Sequence, residues 1–264
     1  MERFGTIHEA YLQALKDVWF EPEFKAAPRG LAIREILNYT FTVTNPVAEP
    51  IRTLDIERNK VIEDYTNKET LLYDSCTNKV EDFASASKFW SQLANPDGTV
   101  NSAYGYLIWK NKSHGCDFEM ALQEDASDPS SPGKVFRMKP VRRTPWEWCV
   151  ESLKKDKDTR QAILRFSLPE HQWMNNKDQV CTMYGNFLIR EDKLHFSVFM
   201  RSNDLMKGLV FDLPWFISLM DKMIEELKPA YPSLSKGTYT HCANSMHIYE
   251  KDGAAVLKML GQQP

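Results

Sequence analysis

VCTMYGNFLIREDKLHFSVFMRSNDLMKGLVFD, residues 180–212, reads as two β-strands followed by the entry to a helix. Cys181 to Ile189 and Leu194 to Arg201 are rich in aromatic and β-branched residues. The polar turn Arg190-Glu191-Asp192-Lys193 joins them as a β-hairpin. In the second strand Leu194, Phe196, Val198 and Met200 share one face, and His195, Ser197, Phe199 and Arg201 share the other. One face is apolar, and Arg201 is delivered to the rim where the strand ends. Asp212 then takes the N-cap position of a long apolar helix, Leu213 to Leu227, with Pro214 in its first turn and Pro229 and Pro232 beyond its end.

Toward the N-terminus, Ile7, Ala10, Tyr11, Leu15, Val18 and Trp19 recur at helical spacing, so Ile7 to Trp19 opens the protein as an amphipathic helix. Pro22 and Pro28 punctuate the loop that follows. Leu31 to Val43 alternates like a strand and Thr44-Asn45-Pro46 closes it, and the pattern from Asn59 to Asp74 is helical. Asn95-Pro96-Asp97-Gly98 is a turn, and Asp125 to Gly133 reads as a flexible loop too short to separate domains. A helix from Trp146 to Lys155, a strand from Ala162 to Ser167 and a strand through His247-Ile248-Tyr249 complete the reading. With no internal repeat and no shift in composition, residues 1–264 are expected to form a single mixed α+β domain.

A chain of 264 residues that is 42% hydrophobic and 12% aromatic has ample material for a core, which excludes disorder as its main state. The net charge of -3, with no basic block, lacks the electrostatic footprint of a dedicated nucleic-acid binder. The cysteines, 76, 116, 149, 181 and 242, are odd in number and lack zinc-site spacing, so reduced thiols in a cytosol-like compartment are expected. The N-terminus carries no apolar run, and the chain reads as soluble and unexported, without a membrane partner. Walker, Gly-x-Gly-x-x-Gly, His-Glu-x-x-His and Gly-x-Ser-x-Gly motifs are absent, as is a clustered Cys/His set, so no metal is expected.

Polar groups at the ends of apolar elements in the C-terminal half remain. Cys181 opens a strand, where a thiol either faces a pocket as a nucleophile or is an inert core residue. Arg201-Ser202 fits an anion clamp of guanidinium and hydroxyl, or a solvated turn. Asp212 fits a helix cap or a site carboxylate equally, and His247 and Tyr249, on one face of a strand, fit a site pair or a core pair equally.

Taken in order, Cys181-Thr182, Arg201-Ser202-Asn203-Asp204, Gly208-Leu209-Val210-Phe211-Asp212 and His247-Ile248-Tyr249 resemble the C-terminal half of the thymidylate synthase superfamily. The resemblance extends upstream through Asn101-Ser102-Ala103-Tyr104-Gly105, Phe89-Trp90 and Glu69-Thr70-Leu71-Leu72-Tyr73, and spans roughly Arg29 to Tyr249. It implies a mixed twisted β-sheet flanked by helices, packed back-to-back with a second copy in a homodimer. Val180-Cys181-Thr182 stands where the synthases usually carry Pro-Cys-His, and Asp212 stands where the uracil enzymes keep Asn. Both departures resemble the phage-type deoxycytidylate hydroxymethylase branch. A carboxylate accepts from the N4 amino group of cytosine and from a protonated N3, whereas an amide matches uracil.

The resemblance implies that Cys181 adds to C6 of a pyrimidine deoxynucleoside monophosphate and that C5 takes the one-carbon unit of 5,10-methylenetetrahydrofolate, used as co-substrate. Glu69 organises water, with Tyr104 and Trp90 shaping the site. Arg201, Ser202 and Arg29, with Arg160 of the partner subunit, hold the phosphate. His247 and Tyr249 bond the sugar hydroxyl, and Asp204 contacts the pterin. The implied activity is deoxycytidylate 5-hydroxymethyltransferase, making a modified DNA precursor in a cytoplasm, that of the host if the source is viral. The same fold acting on dUMP, a pyrimidine nucleotide methylase, and an inert nucleotide-binding dimer are the alternatives. Gln161 and Leu93 depart from the family pattern, as does the tail Lys258 to Pro264, which lacks the closing segment that excludes water.

Overall fold

Thr6 opens the first helix with a capping box: its hydroxyl accepts from Glu9 N at 3.2 Å while the Glu9 carboxylate accepts from Thr6 N at 3.0 Å. That reciprocal cap sets the start of the first helix. The computed structural model describes residues 2–112, 117–124 and 134–263. In chain order the elements are β1 (Glu2–Phe4), α1 (Ile7–Phe20), β2 (Phe24–Ala26), β3 (Ile33–Val43), α2 (Ile56–Asp74), α3 (Val80–Ala86) and α4 (Tyr104–Trp109). They continue with β4 (Asp117–Glu124), β5 (Lys134–Val141), α5 (Pro145–Lys155), β6 (Ile163–Arg165), β7 (Thr182–Arg190) and β8 (Lys193–Met200). The last are β9 (Asn203–Asp204), α6 (Val210–Leu227), β10 (Ser235–Tyr249) and α7 (Gly253–Met259).

One mixed sheet runs in the order β1-β3-β10-β8-β7-β6, with β2 on β3 and β9 on β10. The hairpin forms as expected: β7 and β8 are antiparallel, joined at Glu191 and Asp192, which take φ of 50° and 54° to make the tight turn. Leu194, Phe196, Val198 and Met200 are at most 2% exposed, and the opposite row is not. α1, α6 and the sheet's apolar face share that core. The other face carries Tyr184 stacked on Phe199 with ring centroids 4.8 Å apart, each still more than a third exposed.

Several boundaries differ from the sequence reading. β10 runs from Ser235, far longer than the His247 to Tyr249 segment expected, because its alternation is carried by Gly, Thr, Ala and Asn as well as apolar residues. β3 begins at Ile33 rather than Leu31, β6 is confined to Ile163–Arg165, and α2 begins earlier, at Ile56, capped by Asp55. The antiparallel pair β4 and β5 was not anticipated, and the expected loop Asp125 to Gly133 lies outside the described residues. Among the described residues no helix is long and apolar enough to cross a membrane.

The largest correction concerns Asp212. α6 starts at Val210, and Leu205–Leu209 before it form a π-helical turn capped by Asp204, whose Oδ1 accepts from Met206 N at 2.8 Å. Because that turn already leads into the helix, Asp212 is not its cap and Pro214 lies inside it. A carboxylate released from capping is available for other work.

Helix α4 crosses α2 at Gly105. A Cβ there would stand 1.8 Å from the carbonyl oxygen of Tyr73, a backbone atom, so no side-chain rotation relieves it. Gly105→Ala is expected to force the two helices apart and cost ~2–3 kcal/mol, lowering the melting temperature by about 5–10 °C. Calorimetry checks this; an unchanged melt would mean the helices separate freely.

Candidate functional site

Cys181 stands one residue before β7 and Arg201 one residue after β8, on paired strands, so the hairpin itself brings them together. Arg201 N donates to Cys181 O at 2.9 Å. The Arg201 guanidinium donates to Val180 O at 3.1 Å and Gln179 O at 2.5 Å, and Nη2 lies 3.5 Å from Cys181 Sγ. The ladder is irregular here on both sides: β7 shifts register between Thr182 and Tyr184, and Arg201 and Ser202 separate β8 from β9 along β10. Such interruptions re-aim side chains out of a sheet. Burial pushes the Cys181 thiol up, and the Arg201 guanidinium pulls it back down.

Asn203 was not among the expected site residues. It is 2% exposed, and Nδ2 donates to Asp212 Oδ2 at 3.1 Å while also lying 2.6 Å from Met200 Sδ and 3.5 Å from His241 Nε2. The His241 ring continues to the Tyr239 hydroxyl at 2.9 Å, and burial pushes this imidazole down to about 3, so it stays neutral. Asn203 Oδ1 is buried without a hydrogen-bond partner among the described residues. Gly208 makes room for the pair: a Cβ there would be 2.7 Å from Asn203 Oδ1 and 3.3 Å from Asp212 Oδ2. Alternation from Met200 would turn Ser202 inward; the break at Arg201 and Ser202 shifts the phase so that Asn203 turns inward instead, and the sequence carries no signal of that shift.

Glu69 is 7% exposed on α2, and Tyr65 and Tyr73 flank it one helical turn away on each side. The Tyr65 hydroxyl donates to Glu69 Oε1 at 3.0 Å, and Trp90 Nε1 donates to the Tyr65 hydroxyl at 2.9 Å. Burial pushes Glu69 up to about 8, with the nearby Asp212 carboxylate adding to the shift. Asp212 is itself pushed up to about 7 by burial, against the pull of Asn203. The Asp212 charge also raises Cys181 and Tyr104, so thiol, phenol and both carboxyls share one electrostatic neighbourhood.

Tyr104 starts α4, and its hydroxyl accepts from Thr182 Oγ1 at 2.9 Å, one residue from the thiol. The segment before it is tied to the loop leading to Cys181. Asp178 accepts from Ser102 N at 2.8 Å and Ser102 Oγ at 2.5 Å, and Asn101 Nδ2 donates to Asp178 O at 3.0 Å. Asp178, also unanticipated, is the buried carboxylate that joins two stretches far apart in sequence.

His247 pairs with Asp204 across the β10–β9 ladder, and its ring meets that of Tyr249 edge-on at 5.5 Å, so both do face one way. Burial raises the Asp204 carboxyl and His247 lowers it. Arg29 is exposed in a tight turn at φ of 55°, four residues before Ile33, the ladder partner of Tyr249. It is thus at the same end of β10. Arg160 is not brought to this group within one chain: Ala162 O accepts from Phe187 N, six residues along β7 from Cys181, a separation of about 20 Å.

The two raised carboxyls make stability depend on pH. Each keeps a proton in the fold that the unfolded chain has lost, so their contribution is full below about pH 4 and is lost as pH rises through about 7 to 8. The nucleotide-free protein is expected to melt several degrees lower at about pH 9 than at about pH 6. Glu69→Gln is expected to flatten that slope and to be more stable than the parent at the alkaline end by roughly 2 kcal/mol. Calorimetry across this range checks it; equal slopes for the two proteins would contradict a buried proton on Glu69.

Comparison with known proteins gives the family and the fold. Deoxycytidylate 5-hydroxymethyltransferase of Enterobacteria phage T6 is 25% identical over 238 residues, covering 88% of this chain and 81% of that protein. Deoxyuridylate hydroxymethyltransferase of Bacillus phage SP01 is 26% identical over 251 residues, covering 94% of this chain and 58% of that longer protein. The fold matches thermostable thymidylate synthase A from Bacillus subtilis with a TM-score of 0.66, at 17% identity, over 97% of this chain and 84% of that one. The family model for thymidylate synthase matches residues 9–264. With nearly its whole length matched, the chain belongs to the thymidylate synthase family.

Proposed function

We propose that this chain transfers a one-carbon unit from 5,10-methylenetetrahydrofolate to C5 of dCMP and completes the reaction with water, giving 5-hydroxymethyl-dCMP and tetrahydrofolate. The observation that carries the reading is the Asp212 carboxyl, freed from helix capping and held by Asn203 at 3.1 Å beside Cys181 and Glu69. Pushed up to about 7 by burial, it carries a proton in a large fraction of the molecules at neutral pH. Facing cytosine, one oxygen accepts from the N4 amino group while that proton bridges to N3. As Cys181 adds to C6, charge building in the ring draws the proton to N3 and leaves a carboxylate to stabilise it.

C5, now a carbon nucleophile, forms a bond to the methylene carbon of the folate. Loss of the C5 proton and departure of tetrahydrofolate leave an exocyclic methylene. Water adds to that carbon, and the Cys181 thiolate leaves C6 to restore the aromatic ring. Glu69 is the group that orders the water and passes its proton. Arg201 exchanges its carbonyl partners for the nucleotide phosphate, with Ser202 and Arg29 beside it and His247 and Tyr249 at the sugar. Trp90 and Asp204 form the folate side, offering an indole face and a carboxyl acceptor. Arg160 of the partner subunit completes the phosphate site. The half-exposed sheet face bearing Tyr184 and Phe199 is the surface a second copy would cover in the homodimer.

A second reading, the same chemistry on dUMP, is favoured by the similarity to the Bacillus phage deoxyuridylate enzyme. Mass spectrometry of the nucleotide after incubation with methylenetetrahydrofolate and either dCMP or dUMP separates the two. Addition of CH2O to dCMP is expected. Preference for dUMP would contradict the role given to Asp212, addition of CH2 would make the chain a pyrimidine methylase, and no product from either nucleotide would favour an inert binding dimer.

A further inference from the structure

Tyr65 joins two groups of the proposed site and appears in none of the motifs that point to it. Its hydroxyl sits between Trp90 Nε1, 2.9 Å away, and Glu69 Oε1, 3.0 Å away, and its ring packs on Phe211 with centroids 4.6 Å apart. An indole N–H only donates, so it occupies the hydroxyl's acceptor side. The hydroxyl has one proton, and that proton is left to point at Glu69. The chain therefore runs from Trp90 through Tyr65 to Oε1 of Glu69.

We infer that Tyr65 is a positioning residue for Glu69: it holds Oε1 as a permanent acceptor, so that the exchangeable proton of the carboxyl resides on Oε2. The two ends of the relay come from separate elements, α2 and the turn of residues 88–92, so closing the bond also fixes the Trp90 indole against the helix. Phe211, adjacent to Asp212 on α6, restrains the phenol from the other side. A carboxyl with interchangeable oxygens accepts and delivers its proton from either one. A carboxyl pinned in this way works from a single oxygen, as ordering one water at one carbon requires. The inference rests on the role of Glu69 proposed above, although the hydrogen-bond direction itself does not.

The infrared band of a protonated carboxylic acid, assigned to Glu69 by its loss in Glu69→Gln, follows its titration directly in the nucleotide-free protein. Tyr73 also donates to Glu69 and the Asp212 carboxyl raises it, and both remain in Tyr65→Phe; the charged form there loses one of its two phenolic donors, so the band is expected to persist to higher pH, shifted by about one unit. Trp90→Phe, which leaves the phenol free to turn, is expected to shift it by less, and gives a second reading should the Tyr65 variant fold poorly. With dCMP and methylenetetrahydrofolate, kcat of Tyr65→Phe is expected to fall about tenfold while the KM for dCMP stays within about twofold. A titration unmoved in both variants would overturn the inference. A titration that moves in a protein that makes no product from dCMP would leave Tyr65 positioning Glu69 and refute the proposed reaction instead.

Discussion

Cys181→Ser is expected to lower turnover by roughly 10^4-fold or more while dCMP still binds within a few-fold of its parent affinity. The proposed reaction depends on making C5 nucleophilic, which addition at C6 does. A serine hydroxyl in this setting has no strong base beside it: among the described residues the hydrogen-bond partners of Sγ are the Arg201 guanidinium at 3.5 Å and the Gln179 carbonyl at 3.9 Å. A cation favours a thiolate even where burial pushes the thiol up, but it cannot bring an alcohol, a far weaker acid, to ionise there. The burial that pushes the thiol up is opposed by the same guanidinium, so Arg201 serves both the nucleophile and the anion it is proposed to bind. Product measured by mass spectrometry and binding measured by calorimetry separate the two effects. Turnover within tenfold of the parent would show that covalent addition by Cys181 is not the route.

The second large effect is on base choice. Asp212→Asn is expected to lower product formation from dCMP by about 10^2 to 10^3-fold and to reverse the preference between dCMP and dUMP. An amide can hydrogen-bond to N3 and N4 but cannot transfer a proton to N3, so the charge that builds in the cytosine ring on attack at C6 is left unstabilised. It matches uracil, donating to O4 and accepting from N3–H. Asn203 limits the gain on uracil, because its Nδ2 already occupies one acceptor of residue 212 at 3.1 Å and constrains which way a new amide turns. Competition between the two nucleotides in one tube, followed by mass, reads the ratio. An unchanged ratio would remove Asp212 from base reading.

The hairpin was legible because its period-two alternation is clean and its turn is polar, and the faces of Leu194 to Met200 emerged as expected. β10 was mostly hidden. It lies in the middle of the sheet between β3 and β8, yet it carries Gly237, Thr238, Thr240 and Asn244, so composition does not announce it. The start of α6 was misplaced for a local reason: Asp212 before a proline looks like a cap, while the true entry is a π-helical turn with no sequence signature of its own. Of the site, Cys181, Arg201, Glu69, Tyr104 and Asp212 were visible in motifs. Tyr65 and Asp178 were not, and Asn203 stood within the Arg201 to Asp204 stretch without a role of its own, because each acts through a partner on another element that only the folded chain brings beside it.

The claim that water ends the reaction is tested most directly by running it with dCMP and methylenetetrahydrofolate in water enriched in heavy oxygen. The account predicts a hydroxymethyl product that carries the heavy oxygen, with tetrahydrofolate released unoxidised. A product that gains only CH2, with dihydrofolate formed alongside and no solvent oxygen incorporated, would contradict it.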